Sequence, residues 1–200
     1  MQLIVLSAGR GSRLPNKFRN KPKCLVELNS QPLITYNTNF FKHFKNKIIV
    51  TGYKYSYLKE IASMNGFKQI FNKYYLTTNM VYSLFLARQF IKQDVVVVYG
   101  DVIFNENIYK IINQNDNIIP VNVNWLKNWK SRMPLNQILK DAENLIVKNN
   151  TLLEIGNEID KKSMPKYQFM GIIKLKKKAF FNCYDFFNKL NNKKIDMTSF

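Results

Sequence analysis

Three short stretches carry side chains suited to handling phosphate. The first, Leu6-Ser7-Ala8-Gly9-Arg10-Gly11-Ser12-Arg13, directly follows an apolar run. Glycines let a backbone pass close to an anion, so the amides here can cradle phosphate oxygens while the Arg13 guanidinium adds a forked cation. It is not a dinucleotide fingerprint, because Leu14 stands where G-x-G-x-x-G requires its third glycine, and it lacks the Gly-Lys-Ser/Thr of a P-loop. Two glycines are also what a plain turn requires. The second stretch, Lys21-Pro22-Lys23-Cys24-Leu25-Val26, supplies another cation in Lys23. The third closes a run of valines with Tyr99-Gly100-Asp101, where an acid can hold a divalent metal against phosphate or simply end a strand.

The elements that must position these residues follow from hydrophobic periodicity. Gln2 to Ser7 reads as a buried strand, Pro32 to about Phe44 as an amphipathic helix, and Lys47 to Thr51 as a second strand. A helix over Tyr55 to Asn65, a strand over Phe67 to Asn72 and a helix over Asn79 to Ile91 precede the valine strand, Asp94 to Tyr99. Continuous Val/Ile runs between helices require a parallel sheet covered on both faces, so the expected class is α/β. Asp101 then falls at a strand's carboxyl end, where open sheets of this class bind ligands. Beyond residue 115 the expectation is strands without crossover helices, at Ile118 to Asn124, Leu145 to Lys148, Leu152 to Ile155 and Phe169 to Leu175, then a helix from Lys178 to Leu190. No internal repeat or linker divides residues 1–200, which reads as one domain.

Composition removes several function classes. With 46% hydrophobic residues, the chain can bury a full core, which excludes disorder as its description. Cys24 and Cys183 have no neighbours that would build a zinc site or a disulfide framework. The single histidine, His43, lies in FFKHFK without an orienting acid and reads as a partly buried helix residue, not part of a triad. No apolar run approaches the ~20 residues of a membrane span, and the apolar start lacks a basic leader, so a cytoplasmic location is expected. The net charge of +18 comes from lysines scattered among asparagines, which describes a solvated surface or a basic cleft for polyphosphate more than a nucleic-acid face. A homodimer is compatible with this composition.

Taken in order and at these spacings, the three motifs resemble a nucleotidyltransferase family whose signature is L-[AS]-A-G-x-G-[ST]-R, then P-K-x-L, then Gly-Asp at a strand end. Asn79-Met80-Val81-Tyr82-Ser83-Leu84 matches an N-x-x-Y-S-L segment, so within that family the chain is similar to small phosphocholine-type cytidylyltransferases more than to hexose-1-phosphate enzymes. The resemblance implies an α/β, Rossmann-like three-layer nucleotidyltransferase fold, with a mixed, mostly parallel central sheet and a β-rich second half. It also implies transfer from CTP to a small phosphorylated acceptor, releasing pyrophosphate with Mg²⁺ as cofactor, for decoration of surface polysaccharide or lipid. Sugar-1-phosphate transfer, and nucleotide binding without turnover, are the alternatives.

Joining a phosphate monoester to an α-phosphate opposes two anions, so the site needs cations, a metal and a carboxylate to hold it. By the resemblance Arg13, Lys23 and Asp101 are catalytic, Asp101 being the metal ligand. Leu6, Ser7, Ala8, Gly9, Gly11, Ser12, Asn79, Ser83 and Gly100 join Arg13 and Lys23 around the nucleotide. Asn79 reads equally as a helix N-cap. An attacking phosphate is already ionised, so no histidine base is required. On the acceptor side stand Trp125, Trp129, Tyr167 and Phe169 as candidate walls around a quaternary ammonium, with Glu143, Gly171 and Asp196 in matching segments. Core packing explains each aromatic as well. Lys127, Lys130 and Arg132 would favour an acceptor bearing its own carboxylate. The family's second, E-I-D-type metal segment has no counterpart in the right order. Glu158-Ile159-Asp160 comes too early, so the chain is expected to lack the usual C-terminal segment.

Overall fold

A computed structural model describes residues 1–12, 14–156, 159 and 164–190. Arg13, Glu158, Asp160 and Asp196 lie outside the described residues. The elements begin with β1 (Gln2–Ser7), β2 (Glu27–Leu28), β3 (Gln31–Pro32), α1 (Leu33–Phe40), β4 (Asn46–Thr51), α2 (Lys59–Met64) and β5 (Phe67–Phe71). They continue with α3 (Met80–Phe85), β6 (Val95–Tyr99), α4 (Asn107–Ile112), β7 (Val121–Asn122), α5 (Trp125–Lys130) and α6 (Leu135–Asp141). The last are β8 (Leu145–Lys148), β9 (Thr151–Ile155), β10 (Gln168–Phe169), β11 (Ile172–Leu175) and α7 (Lys177–Leu190). Contacts divide the chain into two units. One contains residues 1–118 and resumes at Gly171; the other contains residues 119–170.

The first unit is built on a five-stranded sheet of order β11-β6-β1-β4-β5, parallel except for β11, which runs against β6. All six residues of β1 are buried, as are Val95 to Val98 of β6, which is why Leu3 to Leu6 and the four valines are β-branched or apolar without a break, the polar ends of β1, Gln2 and Ser7, being buried as well. Leu6 pairs with Tyr99 and Ser7 with Thr51, so β1, β4 and β6 end level. From β1 the chain moves outward through β4 to β5, then returns on the other side of β1 as β6. The connections leaving β1 and β6 therefore diverge, which opens a crevice at their carboxyl ends.

Helices here are shorter than periodicity predicts. The helix opened by Pro32 ends at Phe40, and His43 is exposed in the turn beyond, correcting its placement on a half-buried helix. Tyr55–Leu58 is 3₁₀ before α2 begins, and the stretch from Asn79 breaks after Phe85 into a turn and a second 3₁₀ piece, Arg88–Phe90. These segments are rich in aromatic and β-branched residues and have no side-chain caps, so packing sets their length, not propensity.

In the second unit β7 pairs with β10, and β8 with β9, all antiparallel. Asn149 and Asn150 turn the β8–β9 hairpin with φ of 51° and 58°, the left-handed pair that a two-residue turn demands. Two helices, α5 and α6, lie where only strands were expected. Trp125, Ile138 and Ala142 form their shared core, with Leu126, Trp129 and Met133 against it. The expected strand from Ile118 to Asn124 shrinks to a single bridge at Ile118 and the two residues of β7. No described helix is long and apolar enough to cross a membrane.

Candidate active site

The crevice of the first unit is a cleft of ≈ 530 Å³, within the range that holds small ligands. Its floor is backbone. The Gly100 N–H donates to the Leu6 carbonyl (3.0 Å), continuing the ladder past the end of β6, and the Tyr53 N–H donates to Ala8 (3.1 Å). A Cβ at Gly100 would lie 2.1 Å from the Ser7 hydroxyl oxygen, so glycine alone lets the two strand ends meet. The two loop glycines have different causes. Gly11 takes φ +65°, and a Cβ there would press on Leu14 Cδ1 at 2.9 Å and on Lys23 Cβ at 3.1 Å. A Cβ at Gly9 would meet nothing within 4 Å: the room above it belongs to the cleft.

Lys23 follows Pro22 into a 3₁₀ turn closed by the Leu25 N–H on the Pro22 carbonyl (2.9 Å), which projects its side chain toward the end of β6. There its ammonium pairs with Asp101 Oδ2, the lysine half-exposed and the aspartate more sheltered. Among the described residues no three acidic, histidine or cysteine side chains gather, and Asp101 is the single carboxylate among those that line the cleft. Arg10, also on the lining, holds its guanidinium 5.6 Å from the Tyr53 ring centre. Behind the pair Cys24 is buried, and that burial pushes its thiol up to about 12. The Asp101 charge adds to the shift, while the Ser7 hydroxyl opposes it. The thiol therefore stays neutral and serves as packing.

On the opposite wall stand Tyr75, Thr78, Asn79, Met80 and Ser83. They are organised by Asn72, 1% exposed at the end of β5. Its amide donates to Thr78 Oγ1 (3.1 Å) and Ser83 Oγ (2.9 Å), and its Oδ1 accepts the Tyr74 N–H (2.9 Å). The Ser83 hydroxyl is thus engaged from below, and it also reaches the Asn79 carbonyl at 3.5 Å. Asn79 itself is half-buried with extended backbone, and its side chain makes no capping hydrogen bond to α3. Tyr75 reaches the rim because Gly52 offers no side chain: a Cβ there would lie 2.6 Å from Tyr75 Cβ.

Of the sequence-predicted nucleotide residues, Leu6, Ser7, Ala8, Gly9, Gly11, Ser12, Lys23, Asn79 and Ser83 line this one cleft, as does Asp101, while Gly100 backs it. The acceptor-side set behaves differently. Trp125 is 1% exposed and its indole N–H donates to the Pro165 carbonyl (3.0 Å), which seats it in the core of the second unit, not on a wall a ligand could reach. Trp129 packs edge-on against it at 5.4 Å. Glu143 meets Gln168 through its backbone N–H, and Tyr167 lies half-buried with the Lys166 ammonium 5.4 Å from its ring centre. Gly171 belongs to the first unit, where φ +75° and a prospective Cβ 2.9 Å from Tyr99 Cδ2 give it a structural reason of its own. Sequence reasoning missed Arg10, Tyr75, Thr78 and Asn72. Arg10 lies inside the first stretch and Thr78 directly precedes Asn79, whereas nothing in the sequence marks Tyr75 as a wall or Asn72 as a hub.

The family model described as a MobA-like NTP transferase domain matches residues 3–119. The CTP:phosphoglutamine cytidylyltransferase of Campylobacter jejuni is 32% identical over 185 residues, covering 87% of this chain and 72% of that protein. The choline-phosphate cytidylyltransferase of Streptococcus pneumoniae is 35% identical over 115 residues, covering 55% of this chain and 48% of that protein. Among solved structures, the inositol-1-phosphate CTP transferase of T. maritima shares the fold with a TM-score of 0.77 at 20% identity, covering 99% of this chain and 78% of that one.

Proposed function

The chain belongs to the MobA-like NTP transferase domain family and is a nucleotidyltransferase, and from that premise we propose that it transfers the cytidylyl group of CTP to a small phosphorylated acceptor. The observation that carries the reading is the convergence on one cleft of the open loop at Gly9, the Lys23–Asp101 pair and the Asn79 wall. An acceptor phosphate oxygen attacks the α-phosphorus of CTP, the bond from that phosphorus to the oxygen bridging to the β-phosphate breaks, and pyrophosphate leaves, giving a CDP-linked product. The barrier is chiefly repulsion and positioning between anions. The amides of Ala8 to Ser12 bind phosphate oxygens, and the Lys23 ammonium exchanges its carboxylate partner for the triphosphate. Asp101, released from Lys23, is the residue that would hold Mg²⁺ together with triphosphate oxygens, since such sites combine one or two carboxylates with substrate phosphates. Bound there, the ion would neutralise charge on the triphosphate and leaving group. The base lies toward the Ser7–Ala8 backbone and Asn79, where a polar edge can be read.

The acceptor belongs to the class of phosphorylated amino acids, amino alcohols or related phosphonates. Incubating the protein and Mg²⁺ with each nucleoside triphosphate and a panel of such acceptors, and following pyrophosphate, tests both halves. Release with CTP and an acceptor of this class is expected. Release only with another triphosphate, or CTP binding with no release from any pair, would reject the reading.

A further inference from the structure

Helix α1 supports both halves of the Lys23–Asp101 pair. At its first turn the Leu33 N–H donates to the Val26 carbonyl (2.9 Å), which closes the segment carrying Lys23, and the Ile34 side chain lies beneath Gly100. One turn later comes Asn37, 1% exposed. Its amide nitrogen donates to the Val102 carbonyl (2.8 Å) and lies 3.4 Å from the Tyr99 carbonyl. Those carbonyls flank Gly100 and Asp101. The Val102 N–H reaches Tyr99 only at 3.4 Å, so the backbone closes this turn weakly by itself. The Asn37 Oδ1 meanwhile is buried without a partner. A buried acceptor without a partner is costly, so what holds an asparagine here is the donation of its amide nitrogen to the Val102 and Tyr99 carbonyls and not its own packing.

We propose that Asn37 is a positioning residue, spending stability to clamp the Tyr99–Val102 turn and so aim the Asp101 carboxylate into the cleft. The inference rests on the reading of Asp101 as the acid that takes metal and faces the triphosphate. Asn37 does not itself line the cleft and meets it through the backbone carbonyls of Tyr99 and Val102, so its effect passes through backbone geometry.

Asn37→Leu removes the donor and the orphan acceptor together at similar volume. In the intact protein it is expected to lower kcat by about ten- to a hundredfold and to raise the Mg²⁺ concentration giving half-maximal rate by a comparable factor, because small misplacements of a catalytic group cost on this scale. KM for CTP should change less than about twofold, since the base wall and phosphate loop are untouched. Amide hydrogen exchange at Asp101 and Val102 should quicken relative to β1. Asn37→Ser, smaller and also unable to span both carbonyls, should behave alike. A melting temperature that falls while kcat and the Mg²⁺ midpoint stay at wild-type values would make Asn37 a packing residue and overturn the proposal, as would both variants failing to fold. If the wild-type chain releases no pyrophosphate with any triphosphate, the functional reading fails separately, and the clamp is judged on exchange alone: unchanged rates at Asp101 and Val102 would sink it.

Discussion

The glycine-loop side of the cleft and the helical part of the second unit use their most conspicuous residues in opposite ways. At Gly9 the backbone leaves room that no protein atom fills, and the Lys23–Asp101 pair sits half in solvent with each charge ready for another partner. Around Trp125 nothing is left open: the ring is buried, its N–H is satisfied and Trp129 covers its edge. Glycine, lysine and aspartate at strand ends keep options that folding does not consume, whereas large aromatics are consumed by the first core that can bury them. A set of polar residues at strand ends therefore indicates chemistry more directly than a set of aromatics does.

Substitutions sharpen that contrast. Asp101→Asn or Lys23→Ala should reduce pyrophosphate release by about a thousandfold or more, equivalent to at least ~4 kcal/mol of transition-state stabilisation, with a nearly unchanged melting temperature. Rates close to wild type would return both residues to the surface. Trp125→Ala should do the reverse, costing roughly 3–4 kcal/mol of stability through the cavity it leaves, with the effect visible by thermal melting before any assay. If that variant instead melted like the wild type and lost only acceptor affinity, the ring would be a wall after all. Asn79→Ala is expected to change the preference for CTP over UTP by about tenfold, because an unpaired edge is what a competing base would leave. The Asn79 side chain does not cap α3, so a changed CTP/UTP ratio in this variant would not be the by-product of a lost cap.

The smallest effect concerns pH. The folded state holds the Cys24 thiol up to about 12, against 9.0 when unperturbed, so the neutral form is favoured in the native protein. Its contribution to stability is complete below pH 9 and is lost as pH rises from there through about 12. Melting curves taken across that window should fall less steeply for Cys24→Ala than for the wild type. Parallel curves would mean that the thiol is reached by water.

Much of the sheet was legible because its constraints are local. β1 and β8 match their expected bounds, and β4, β5, β6 and β9 differ by one residue at an end, since Val/Ile runs flanked by polar residues leave a buried strand few alternatives. α5 and α6 were not legible because they are short, 6 and 7 residues, so although Trp125, Leu126 and Trp129 share a helical face, tertiary packing of Trp125 decides the matter. The hairpin of β2 and β3 turns on Asn29 and Ser30, and its two-residue strands are too short to show alternation. In the site, Gly9, Gly11, Lys23 and Asp101 could be read because phosphate chemistry restricts residue types. Asn72 and Asn37 could not, because an asparagine's role as a hub or clamp is set by carbonyls and hydroxyls distant in sequence.

The most direct measurement is a crystal structure of the chain with CTP and Mg²⁺. The triphosphate is expected over Gly9 to Gly11 with Lys23 turned onto it, Asp101 released to the metal, and the cytosine edge against the Ser7–Ala8 backbone and Asn79. CTP bound elsewhere, or bound in the cleft with Lys23 and Asp101 still paired to each other, would contradict the account.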